Sequence, residues 1–172
     1  MRMLLSRALA VAIVSTAIAV TPAHADQERF FDRRGELRAG ADLHQVVVRN
    51  ERRLTLTFRH RDLRPGYYAS VTAYIDTSKR RPGPEYGISG GIGGGSDWQI
   101  FRTRRWKAVG DGPINCPTDL NVDYRNDISQ FVIARRCIDF AGRVRVSVVA
   151  TDDDGDRDWA PRYHRFYAWV RR

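Results

Sequence analysis

The chain has 172 residues, with 29 Lys and Arg against 20 Asp and Glu and a formal net charge of +9. That length suits one domain around a single core. The cations are almost all arginine and are scattered through nearly every segment, which argues for a solvated basic surface and against a concentrated nucleic-acid patch.

Residues 1–25 open with Arg2 and Arg7, run apolar from Ala8 to Val20, and end in Ala23-His24-Ala25. A positive start, an apolar stretch and a small-x-small site together predict a cleaved signal peptide. The apolar run of about 13 residues is shorter than the ~20 that span a bilayer. Cutting after Ala25 leaves an exported, extracellular chain that starts at Asp26, with no membrane span expected in it. The charged, aperiodic residues 26–41 read as an N-terminal arm, and residues 42–172 as the domain.

Strand signals then follow one another. Residues 42–50 and 54–59 predict a hairpin, the second strand with Leu54, Leu56 and Phe58 inward and Thr55, Thr57 and Arg59 outward. Residues 70–77 alternate most clearly, Val71, Ala73 and Ile75 against Thr72, Tyr74 and Asp76. Such period-two patterning is that of a half-buried strand. A Pro82-Gly83-Pro84 turn leads to a strand from Glu85, which meets the glycine tract at 90–95. That tract cannot be helix interior, where each Gly costs ~1 kcal/mol relative to Ala. Further strands are predicted over 98–103, 106–109, 121–124, 128–134, 143–151 and 163–170, with an acidic turn over 152–158. No 3.6-residue periodicity appears. Many short strands divided by turns predict an all-β, antiparallel β-sandwich, jelly-roll-like, in one domain.

Cys116 and Cys137 are the only cysteines. An even count in an exported chain predicts a disulfide between them. Two cysteines without suitably spaced histidines make a poor zinc site.

Asp32-Arg33-Arg34-Gly35-Glu36-Leu37, Ala41-Asp42-Leu43 and the later VVVRN, LTLTF, AYIDT and GPEY segments resemble those of uncharacterised secreted bacterial β-sandwich proteins. In the order of its elements the chain is similar to the DOMON-like and family-nine carbohydrate-binding sandwiches. That resemblance implies a sandwich in which the strand ending Ile75-Asp76 leads to a variable loop near the ligand-binding side.

Gly87-Ile88-Ser89-Gly90-Gly91 satisfies G-x-S-x-G, with aspartates and His164 downstream. In α/β-hydrolases that pattern needs a strand-to-helix turn, and a glycine tract cannot supply the helix. No Gly-Lys-Ser/Thr follows that tract to make a phosphate cradle. Asp152, Asp153, Asp154, Asp156 and Asp158 crowd one turn, yet the EF-hand pattern fails, because Arg157 stands where Gly is needed and Tyr163 where Glu is. A solvated turn is favoured over a calcium loop. His44, His60 and His164 lack ligand spacing. No catalytic residue, metal centre or cofactor is therefore expected.

The expected ligand site is the strand-loop-strand unit that joins Asp76, Arg80, Arg81, Glu85 and Tyr86, with Trp98 beside the glycine tract. Loops at one end of a rigid sandwich are where binding groups gather. The leading expectation is a secreted, non-catalytic module for carbohydrate or an anionic envelope polymer, with no nucleic-acid partner. The alternative is a protein-interaction or inhibitor-like module.

Overall fold

The computed structural model describes residues 27–37, 40–94 and 97–172, so the predicted signal peptide and the start at Asp26 lie outside the described residues. Twelve strands are assigned among the described residues: β1 (Gln27–Phe31), β2 (Leu43–Asn50), β3 (Arg53–His60), β4 (Ser70–Asp76), β5 (Tyr86–Gly91), β6 (Trp98–Arg104), β7 (Lys107–Val109), β8 (Thr118–Asp123), β9 (Ile128–Ala134), β10 (Arg143–Thr151), β11 (Arg157–Ala160) and β12 (Val170–Arg171). They form two antiparallel sheets. The first runs β1-β2-β3-β9-β8. The second runs β11-β10-β4-β5-β6-β7, with β12 also beside β10.

The sheets pack face to face as a β-sandwich, because period-two alternation gives each an apolar inner face. Leu54, Leu56 and Phe58 of β3 and Phe131 and Ile133 of β9 join Val71, Ala73 and Ile75 of β4 and Val144, Val146 and Val148 of β10 in one buried cluster. Each of these side chains other than Ala73 contributes about 1.5–3 kcal/mol when fully buried. Thr55, Thr57, Thr72 and Tyr74 stay half-exposed on the outer faces, as the alternation predicts.

Two glycines, Gly87 in the predicted strand and Gly93 in the glycine tract, have steric work in or beside β5. A Cβ on Gly87 would meet the Phe101 ring at 2.5 Å, and one on Gly93 would lie 1.3 Å from the Tyr67 carbonyl oxygen. The second contact is with backbone, which cannot step aside, so only glycine fits there.

Three segments differ from the sequence reading. Gln27–Phe31, part of the predicted arm, is edge strand β1, paired along β2 from Gln27↔Arg49 to Phe31↔Gln45. The end of the predicted acidic turn is strand β11, paired with β10. The predicted last strand shrinks to Val170–Arg171, because His164 turns the chain with φ 52 and Arg165 N–H closes onto Arg162 C=O at 3.0 Å.

Cys116 and Cys137 form the predicted disulfide. It ties the loop before β8 to the 3-10 turn Arg135–Ile138 after β9. Closing a loop of 21 residues contributes about 3 kcal/mol by shrinking the unfolded ensemble. Among the described residues, no helix is long and apolar enough to cross a membrane.

Candidate functional site

The predicted ligand residues divide into structural and accessible groups. Asp76 ends β4 with 0% exposure. Its Oδ2 accepts hydrogen bonds from Arg145 Nε at 2.8 Å and pairs with Arg145 Nη2 at 2.6 Å, while Oδ1 accepts from Ser78 N–H at 2.9 Å. Asp76 is thus spoken for inside the fold. Glu85 Oε2 accepts from Thr77 N–H at 2.7 Å and from its hydroxyl at 3.1 Å, leaving Oε1 buried and unpartnered. Burial pushes the Glu85 carboxyl above its usual range. Tyr86 is 1% exposed. Its hydroxyl donates to Asp139 Oδ2 at 2.5 Å and accepts from Arg102 Nη1 at 3.3 Å, and the phenol is pushed up to about 12, chiefly by burial.

Arg80 and Arg81 are exposed on the turn. Arg81 and Glu85 line a hollow of about 630 Å³ together with Arg102, Arg104 and Arg105. Trp98 is elsewhere. It pairs with Gly90, whereas Tyr86 pairs with Arg102 at the opposite end of the same ladder. Four strand residues separate the two ends, about 13 Å. The register therefore keeps Trp98 out of the predicted unit.

An aromatic tract covers the outer face of the second sheet near β4 and β11. Tyr74 stacks on Trp159 at 5.9 Å, Trp106 stacks on His164 at 4.4 Å and on Phe166 at 4.7 Å, and His164 stacks on Tyr163 at 3.8 Å. Trp159 meets Tyr163 edge to face at 5.1 Å. Tyr163 is 65% exposed and ends the tract. Beside it, Trp159, Pro161 and Tyr163 wall a hollow of about 680 Å³, whose polar lining is Asp32, Glu36, Arg33, Arg157 and Arg162. Trp159 and Tyr163 escaped the sequence reading. The signal was there in β11, where Arg157 and Trp159 alternate with buried Asp158 and Ala160.

The carboxylates in that corner come from distant parts of the chain. Asp32 and Glu36 lie in the loop after β1, and Asp158 lies within β11. Asp42, itself 0% exposed, shapes the loop by accepting Gly35 N–H at 2.9 and 3.0 Å and Glu36 N–H at 3.2 Å. Burial, then the charges of Glu36 and Asp42, push the Asp32 carboxyl up to about 6. Burial, then Asp32, Glu36 and Asp42, push Asp158 up to about 7. The neighbouring acidic turn is internally tied: Asp152 Oδ1 accepts Asp156 N–H at 2.8 Å.

Both serine arrangements with hydrolase overtones are structural in their contacts. Ser89 sits within β5 with its Oγ 2.8 Å from Thr72 Oγ1, a hydroxyl and so not a base. His60 Nε2 is 2.7 Å from Ser129 Oγ, but the two residues are 1% and 0% exposed. Burial lowers the His60 imidazole to about 3, so it stays neutral.

No family model matches this chain, and no curated protein or solved structure matches it either.

Proposed function

We infer that this is an exported, non-catalytic module that binds a carbohydrate or envelope polymer at the hollow beside Trp159 and Tyr163. The observation that carries this reading is the meeting of aromatic rings with carboxylates and guanidiniums in one concave place. A pyranose has an apolar C–H face and a rim of hydroxyls. Aromatic faces, electron-rich at their centres, suit the first. Asp32, Glu36, Arg33, Arg157 and Arg162 suit the second, since carboxylates accept from hydroxyls and guanidiniums donate to them. The arginines also favour acidic polymers over neutral ones.

The test is a glycan and envelope-polymer array probed with the form collected from culture medium, whose N-terminus should read Asp26. Tyr163→Ala should weaken binding by about 1–3 kcal/mol, by analogy with base stacking on aromatic side chains. A paired Arg81→Ala/Arg105→Ala variant, in the other hollow, should bind as wild type does. Loss of binding in that pair alone would move the site to the arginine-lined hollow. Recognition of nothing on the array by wild type would sink the carbohydrate reading.

A further inference from the structure

A carboxylate taken out of water is strongly unfavourable unless donors or cations surround it. Asp158 is 1% exposed. Its Oδ2 accepts Leu43 N–H at 2.6 Å, and its Oδ1 has no hydrogen-bond partner. Asp32 Oδ2 and the Tyr167 hydroxyl are also buried and unpartnered. One oxygen each from Asp32, Glu36 and Asp158 lie within 4.8 Å of one another. Arg33, Arg157 and Arg162 line the same hollow, but among the described residues no arginine forms an ion pair with these three carboxylates.

We propose that Asp32, Glu36 and Asp158 form a divalent-cation site that takes calcium. Carboxylate oxygens alone make a hard donor set, which suits calcium or magnesium rather than zinc or copper. Calcium–oxygen distances of 2.3–2.6 Å give a coordination shell roughly 4.6–5.2 Å across, and the three carboxylates fit within it. Magnesium, at 2.0–2.1 Å, demands a shell of about 4.2 Å and near-octahedral geometry. Three protein ligands leave positions for water, which the adjoining hollow of about 680 Å³ admits.

The site is prepared in advance. Asp42 holds the backbone of Gly35 and Glu36, and Leu43 N–H holds the Asp158 carboxylate by its other oxygen. The cation would tie the loop after β1, at the edge of the first sheet, to β11 at the edge of the second. It would thereby fix the wall that carries Trp159. The acidic turn next to it lies outside this trio, and Asp152 Oδ1 is used in closing that turn.

The experiment uses the purified protein after chelator treatment, titrated with calcium chloride. It is followed by thermal unfolding and by terbium luminescence sensitised through the nearby tyrosine and tryptophan rings. One site should appear, with a melting-temperature rise of roughly 5–10 °C at a hundredfold excess over Kd. Magnesium should give less than half that rise. Asp158→Asn and Glu36→Gln should each weaken binding at least tenfold. Glu36 is exposed, so its variant keeps the proposal testable if Asp158→Asn folds poorly. Asp154→Asn should bind as wild type does. The proposal is overturned by no thermal shift up to about 10 mM calcium, well above the 10⁻⁴–10⁻³ M of extracellular calcium modules. It is overturned equally by unchanged binding in Glu36→Gln, or by loss in Asp154→Asn, which would put the ion in the acidic turn. No glycan enters the measurement, so its outcome is independent of the carbohydrate reading.

Discussion

Two corners of the second sheet treat their carboxylates in opposite ways. At the end of β4, Asp76 is met by the Nε and Nη2 edge of the Arg145 guanidinium and by a backbone N–H, and nearby Asp139 has Tyr86 and Arg102 as partners. At β11, Asp158 faces Asp32 and Glu36, with unpartnered oxygens left on Asp32 and Asp158. In the first corner the Asp76 and Asp139 carboxylates are satisfied and so contribute to stability, and only neighbouring Glu85 keeps an unpartnered oxygen, Oε1. The second is held in a repulsive arrangement that only an added charge, proton or polar ligand can satisfy. Saturated polar groups build folds, whereas preorganised and unsatisfied ones are where a ligand gains most.

The largest expected effect comes from breaking the saturated corner. Arg145→Ala removes the countercharge of a carboxylate with 0% side-chain exposure. It also strips the guanidinium from over the Phe166 and Trp169 rings, 4.6 and 4.7 Å from their centroids. Leaving a buried charge uncompensated costs about 3–5 kcal/mol. Urea unfolding should show that loss at neutral pH. A loss under 1 kcal/mol would mean that water replaces the guanidinium and that the corner is not closed.

The same measurement on the unsatisfied corner should have the opposite sign. In chelator at pH 8, Asp32→Asn exchanges a charge crowded by Glu36 and Asp42 for a neutral amide. The Asp32 carboxyl sits at about 6 in the fold against 3.8 ordinarily, so above pH 6 its ionisation opposes folding. The variant should gain about 1–2 kcal/mol. With calcium present the gain should vanish, because a ligand has been lost. A destabilised variant in chelator would show that the Arg33 backbone N–H outweighs the crowding at Asp32, and the contrast between the corners would fail.

The strand-turn-strand frame of the first corner was legible in the sequence, but not the pairing of Asp76 with Arg145, and little of the second corner was. Period two showed clearly at β3, β4 and β10 because each buries one face and wets the other. The turn at Pro82-Gly83-Pro84 is local, so Arg81 and Glu85 could be brought together from spacing alone. Edge strands β1 and β11 were missed, being four or five residues long and rich in charge. Asp158 breaks the rule that a carboxylate in a strand points outward. Its neighbours Asp32 and Glu36 lie more than a hundred positions away in the chain, and no local pattern announces a pairing made by two sheet edges meeting. Trp98 was misplaced for a related reason, since strand register decides which end of a ladder a residue reaches.

The smallest effect concerns Tyr86, which the loop pattern marks as a ligand contact and the fold uses as a strut. Tyr86→Phe keeps the buried ring and removes only the hydroxyl between Asp139 and Arg102. Hydrogen bonds to charged partners contribute roughly 1.5–3 kcal/mol where the partners are buried. Here the Asp139 and Arg102 side chains are 69% and 54% exposed, so water takes over much of what the phenol supplied, and their own ion pair at 3.6 Å persists. The expected loss is therefore only about 1 kcal/mol in urea unfolding, with polymer binding unchanged. A variant that unfolds like wild type but no longer binds would return the ligand to the β4–β5 turn and empty the Trp159 hollow of its proposed role.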